Sequence, residues 1–419
     1  MGATVATMTS VIKDAWTSSR LAKQFYNANP VLDWFQEVEA TMIGTQAQVP
    51  IHKWRSGGST STNAAGGALN SAGNQQVDQA LYTLVYLWHQ ISIETAALNQ
   101  TGSSAQSIIG SKILEVQGAI DDISKQASRQ LCSNGDGYIA QCTTTTTANE
   151  IELLAASSGG LGYDAIRRGW LFPGLPVDIG TTSDTDTIAS GVTITAVEES
   201  ASTPSITVDG STVSTTSSHY VSIKNPNSTT TASPELNGLR NMLGSSTTTL
   251  GGINPATAGN EFWKPALVDA STTSLSLDLA LNLQAAVFQK SGGYQSHVLT
   301  SVKQGSAFYS LLQNQVRFAG EMKMGAGGVG GLTGLSWNGV NLNVFPDIVD
   351  KEWYHVSKDE IVRIVGSIKK PTWTSELEGS GEGLRWSQGN TNFVEGLVFP
   401  LNVGLQRRNT HAAATNLTA

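Results

Sequence analysis

Long apolar runs, cysteines and charges are all scarce in this chain of 419 residues. No apolar run reaches the roughly 18 residues that a membrane-spanning helix needs, so no membrane span is expected. The first eight residues, MGATVATM, lack the basic start and apolar centre of a secretory leader, and synthesis in a cytoplasm is the expectation. Only two cysteines occur, Cys132 and Cys142, on either side of Ser133-Asn134-Gly135-Asp136-Gly137. They exclude a disulfide framework; in a reducing compartment they read as unpaired thiols, although a disulfide across the turn is geometrically open. Charged residues make up 14% of the chain, against about 25% in ordinary soluble domains. The net charge is -8 and Arg pairs occur only at Arg167-Arg168 and Arg407-Arg408, so a basic face able to neutralise phosphates is missing. A surface built from neutral Ser, Thr, Asn and Gly suits wide contact between subunits better than life as a free monomer.

Catalytic markers are absent too. The six histidines, His52, His89, His219, His297, His355 and His411, are scattered without a zinc-ligand spacing. No G-x-S-x-G elbow is present. Gly325-Ala326-Gly327-Gly328-Val329-Gly330 fits the dinucleotide pattern, but no strand precedes it and no helix follows, and a flexible glycine loop is the better reading. No cofactor and no enzymatic activity are expected.

What the chain does have is a strand, a long polar tongue and a second strand in unbroken succession. Residues 46–54 alternate apolar and polar, and residues 81–94 are rich in Tyr, Val, Leu, Trp and Ile. Between them, residues 56–76 carry one large apolar side chain, Leu69. Such a segment offers almost nothing to offset the entropy of ordering it inside its own domain. Loops beyond about 12–15 residues are uncommon in compact domains and are usually functional or disordered. A two-stranded arm that leaves its own subunit and is ordered against a neighbour resolves the conflict, with Lys53 and Arg55 at the base of the tongue and Gly57 and Gly58 opening it.

Residues 9–40 read as helix broken at Asn29-Pro30. Residues 108–131 place Ile109, Ile113, Val116, Ile120, Ile123, Ala127 and Leu131 at spacings of four and three, the mark of a long amphipathic helix. The stripe Ile113, Val116, Ile120, Ile123 is expected to pack on strands that include Val85, Leu87 and Ile91. From residue 134 the composition turns to Thr, Ser, Gly and Val. Short strand-like runs at 138–143, 150–154, 175–179, 192–197, 205–208 and 220–223 predict a small barrel or sandwich without helices. Helices are then expected at 234–243, 274–290 and 305–316, with a buried strand at 297–300. Strands follow at 340–344, 361–368 and 393–405, where Pro400 implies an edge or a bulge.

This order of segments, an α+β chain, resembles the major capsid proteins of tailed bacteriophages with the Hong Kong 97-like fold, in a form carrying an all-β insertion. Local stretches similar to that subgroup are Gly135-Asp136-Gly137, residues 173–180 (PGLPVDIG), residues 235–240 (ELNGLR) and Gly251-Gly252-Ile253-Asn254-Pro255. The resemblance implies an N-terminal arm at 1–45, an E-loop at 46–80, and peripheral-domain strand and spine helix at 81–133. It further implies an inserted β-domain at 134–226, an axial domain at 227–340, and peripheral return strands at 341–419. Homo-oligomers, hexamers and pentamers in an icosahedral shell around double-stranded DNA, are implied as well, in a virion. The tongue holds no lysine, so the Lys–Asn cross-linking of some relatives is not expected. Residues 1–45 read as too short and too rich in anchoring aromatics for a cleaved scaffold, which points to a separate scaffolding protein and a portal; a decoration protein is a further expected partner. The other readings are an encapsulin-type compartment, which shares the fold, and an extracellular β-rich adhesin or polysaccharide-acting enzyme, which the missing leader and missing carboxylate pair weaken.

Overall fold

The longest strand of the computed structural model, Asn392–Leu405, organises the first of two compact units. The structure describes residues 34–38, 41–56, 73–94, 105–155, 160–181, 187–210, 212–225, 234–271, 273–293, 295–313, 336–337, 339–366, 368–377, 385–386 and 392–418. The first unit takes its described residues from Met1–Ser128, Ser246–Pro265 and Ser357–Thr410, the second from Arg129–Ser245, Ala266–Val356 and His411–Ala419. These limits cut across the domains expected from sequence. Residues 246–265 fold with the arm strands rather than with the rest of 227–340. Residues 340–356 and 411–418 leave the return strands, because Val340–Val344 pairs with His297–Thr300 and Ala412–Thr415 pairs with Ala266–Asp269.

In the first unit, Asn392–Leu405 runs antiparallel to the whole of Val85–Glu94 on one side. On its other side Ile361–Val365 covers residues 401–405 and Thr372–Trp373 covers 397–398. Pro400 stands in the gap between those two partners and faces only Tyr86 in register. A proline cannot donate to a ladder, yet here it is accommodated in a central strand, neither at an edge nor at a bulge, because the neighbour changes where its missing N–H would fall. The apolar run at 81–94 is likewise divided: Gln76–Thr83 and Val85–Glu94 are separate strands in separate sheets, joined at the buried Leu84.

The helix expected over 9–40 lies mostly outside the described residues, and its end is a strand. Gln36–Val38 pairs in parallel with Ile361–Val365. Burial of Phe35 and an ion pair from Arg363 to Glu37 at 2.6 Å outweigh the weak local helix propensity. The spine helix spans Ala105–Cys132, slightly longer than its apolar stripe.

In the second unit, six strands follow the order Tyr138–Gln141, His219–Ile223, Pro176–Thr181, Thr187–Glu198, Ser205–Val208 and Glu150–Glu152. The first and last meet through an antiparallel bridge of Cys142 and Leu153, flanked by Thr143 N donating to Glu152 O at 2.9 Å and Leu154 N to Gln141 O at 2.8 Å. The sheet is therefore a closed barrel, and it is filled by Ile139, Ile151, Val177, Ile179, Ile194, Ile206 and Val221. One helix, Gly162–Arg167, interrupts the expected all-β segment and adds Ala165 and Ile166 to that core. At six residues it is too short to leave a period in the sequence.

The second sheet of this unit has the order Ala266–Asp269, Ala412–Thr415, Trp353–Val356, His297–Thr300, Val340–Val344, Ser336–Trp337. The helix Leu277–Ser291 lies on it, starting at Ser276, whose hydroxyl accepts from Leu279 N at 3.1 Å, and ending at Gly292 with φ +67°. Leu283 and Val287 of this helix and Phe308 of the helix Val302–Gln313 pack on Trp353 and Val298 of the sheet.

Candidate assembly surface

The arm is built from alternation. Gln46–Trp54 and Gln76–Thr83 pair antiparallel from Gln46↔Thr83 to Trp54↔Gln76. Ala47, Val49, Ile51, Ala80 and Tyr82 take the buried face. The other face presents Gln46, Gln48, Pro50 and His52 against Thr83, Leu81, Gln79 and Val77, a surface without an acidic or a Lys/Arg side chain, on which Val77 is 64% exposed. On the neighbouring strand Tyr86 and Trp88 are 51% and 60% exposed.

Tyr82 ties the arm to the long strand. Its hydroxyl donates to Leu405 O and accepts from Leu405 N, both at 3.0 Å. The ring lies across Gly404, where a Cβ would come within 2.6 Å of it, so only glycine permits the approach. Burial pushes the Tyr82 phenol up, against a smaller opposing pull from its bond to Leu405 and from the nearby Arg408. Arg408 is itself fully buried, donates to Thr248 O at 2.8 Å, and is lowered by burial to about 10, so it stays charged at neutral pH. Leu81 N donates to Gly251 O at 2.9 Å. Gly251, with φ +60°, leaves no room for a side chain, since a Cβ would lie 2.8 Å from that of Ala80.

At the arm's outer end the pairing register slips between His52 and Trp54. Lys53 reaches Asp78 at 3.8 Å and its ammonium lies 5.6 Å from the centre of the Phe262 ring. Trp54 meets the same ring edge-on at 6.2 Å and donates its indole N–H to Gly259 O at 3.1 Å. His52 and Gln75 share a hydrogen bond of 2.8 Å across the strands. Arg55 is exposed at the strand's end. Gly57, Gly58 and Leu69 lie outside the described residues, as does the glycine run 325–330. Sequence reasoning missed Phe262 and Trp263. The signal was the glycine-rich stretch 251–255 just upstream, because a tight turn beside two consecutive aromatics marks a packed loop.

On the spine helix Val116, Ala119, Ile120, Ile123 and Ala127 are buried, while Glu115, Gln117, Asp121, Asp122 and Lys125 are exposed. The side chain of Ile113 lies outside the described residues. In the second unit a buried ion pair joins Arg129 to Glu235, and the partly exposed Arg240 reaches the buried Glu352 at 3.0 Å. Asp350 accepts from Arg167 at 3.0 Å and Arg168 at 3.2 Å. Cys132 and Cys142 are free, buried thiols, both pushed up by burial. A cleft of about 290 Å³ is lined by Cys132, Asp136, Tyr138, Tyr220 and Arg240 among others. Among the described residues no cluster of His, Cys, Asp and Glu could hold a metal ion, and no helix is long and apolar enough to cross a membrane.

No protein-family model and no curated protein matches the sequence. Solved structures do. A chain of the Cyanophage A-1(L) capsid asymmetric unit is similar over 93% of both chains, with a TM-score of 0.53 at 11% identity. The Synechococcus elongatus holo-SrpI encapsulin complex matches over 92% of this chain and 86% of its own, with a TM-score of 0.44 at 8% identity. Mycobacterium phage Patience gives 96% and 88%, again with 0.44 and 8%. The fold assignment rests on the first.

Proposed function

We propose, for a chain that carries the Hong Kong 97-like capsid fold, the role of major shell subunit of a tailed-bacteriophage head, whose work is to bind copies of itself. The observation that carries this reading is the likeness of fold to a capsid subunit along 93% of both chains. The charge-poor arm supports it, since an anchored pair of strands with an uncharged outer face and exposed Val77, Tyr86 and Trp88 is a surface prepared for another protein. The subunit acts by association, not by catalysis. Hexamers and pentamers close the shell in the virion, a separate scaffolding protein and a portal guide it, a decoration protein can cover its outside, and duplex DNA is held inside without specific grip.

In this reading residues 46–80 are the E-loop and the spine helix and long strand are the peripheral domain. The barrel between Tyr138 and Ile223 is an insertion whose core is its own. Negative-stain microscopy of the expressed protein, alone and with candidate scaffolding proteins, tests the reading: closed shells or capsomer rings are expected. Monomers under every condition would refute it, and uniform shells from the chain alone would turn it toward an encapsulin-type compartment.

A further inference from the structure

We infer that Phe262 is the seat that fixes the direction in which the arm leaves its own subunit, a positioning residue for self-association; only the purpose of the arm rests on the shell reading. In a regular strand successive side chains point to opposite faces, so Lys53 and Trp54 should not reach one group. They do. The register slip between His52 and Trp54 is the device, because a bulge re-aims a side chain and bends its strand. It brings the Lys53 ammonium to 5.6 Å and the Trp54 ring to 6.2 Å from the same Phe262 ring.

The seat is rigid from behind. Phe262 packs on Trp263 at 6.0 Å, and Trp263 is fully buried with its indole N–H on Leu250 O at 3.0 Å. The loop before it is closed on Asn254, which accepts from Ala256 N through its side chain and from the Asn260 amide through its carbonyl, each at 2.9 Å. The same loop presents Gly259 O to the Trp54 indole. One ring thus meets both a cation and an indole from the end of the strand Gln46–Trp54, just before the uncharged stretch 57–72. Losing it frees the bend without opening the buried face of the arm.

The sequence supplies a local probe, since Lys53 and Arg55 are the only Lys or Arg between residues 46 and 94. Trypsin cleavage after them reports how often the clamp is open. Phe262→Leu should melt with the wild type yet be cut after Lys53 roughly tenfold faster, the loss of one aromatic pair and one cation–π contact. Phe262→Tyr should restore the wild-type rate. Under conditions where the wild type closes shells, F262L should give open or irregular particles. Cleavage at the wild-type rate in F262L, or acceleration at all tryptic sites alike, would overturn the seat. Should the wild type form no shells while the contrast between F262L and F262Y stands, the shell reading fails and the seat remains.

Discussion

Tyr82 is the residue on which the arm's attachment turns. It is 1% exposed, and its hydroxyl satisfies both backbone groups of Leu405. Tyr82→Phe keeps the ring and leaves those two groups without this partner, a loss of about 1–3 kcal/mol that urea unfolding should register. At the opposite extreme of polarity, His355 is fully buried in the second unit, where it accepts the Trp353 indole N–H at 2.9 Å and is flanked in register by Val298 and Ala412. Burial lowers it from 6.5 to about 4. Below the unfolded value the unfolded chain takes up a proton that the folded chain refuses, so stability is whole above pH 6.5 and falls as the pH drops toward 4. The full loss is about 3 kcal/mol. His355→Gln should therefore lose less stability than the wild type between pH 7 and 4.5, measured by denaturant midpoints at each pH; parallel curves would count against the assignment.

Among the elements, the spine helix was legible as a helix because an apolar stripe at 3.6-residue spacing has no competing reading at that length. Ile120→Asp places a carboxylate at a site 3% exposed and should remove soluble protein, at a cost of several kcal/mol. Gln117→Asp, on the exposed face, should cost under about 1 kcal/mol by the same unfolding assay. The barrel strands were legible as short β-like runs in a Thr/Ser/Gly/Val-rich stretch, but closure was not, since it depends on Cys142 meeting Leu153, eleven residues on, at opposite ends of the sheet order. Because its core is filled from within, residues 134–226 expressed alone should unfold cooperatively with a β-sheet spectrum; a random-coil spectrum would show that the barrel needs the rest of its unit. Where the sequence misled, tertiary pairing had overridden local signals. Gln36–Val38 became a strand through Ile361–Val365, and Pro400 entered a central strand through a gap that no single segment encodes.

At the scale of the whole molecule, the order of arm, helix, barrel and return strands pointed to the fold, whereas the partition into units did not follow contiguous sequence. Residues 246–265 join the arm strands from far along the chain, bringing Gly251, Gly259 and Phe262 to positions that no spacing rule predicts. The buried contacts of the arm, Tyr82 on Leu405 and Leu81 on Gly251, lie at the base and do not involve residues 57–72. Those residues are uncharged and nearly free of large apolar side chains, so they contribute little to a core and are suited to lying on another subunit. Joining Ser56 directly to Gly73 should leave the thermal midpoint of the isolated subunit close to that of the wild type, because the deleted stretch carries a single large apolar side chain, Leu69. The same deletion should abolish closed particles in electron micrographs and leave capsomers or free subunits in sedimentation. Normal shells from the deleted chain would mean that the tongue is dispensable and that self-association runs through other surfaces, whereas loss of the folded subunit would mean that the tongue serves its own chain.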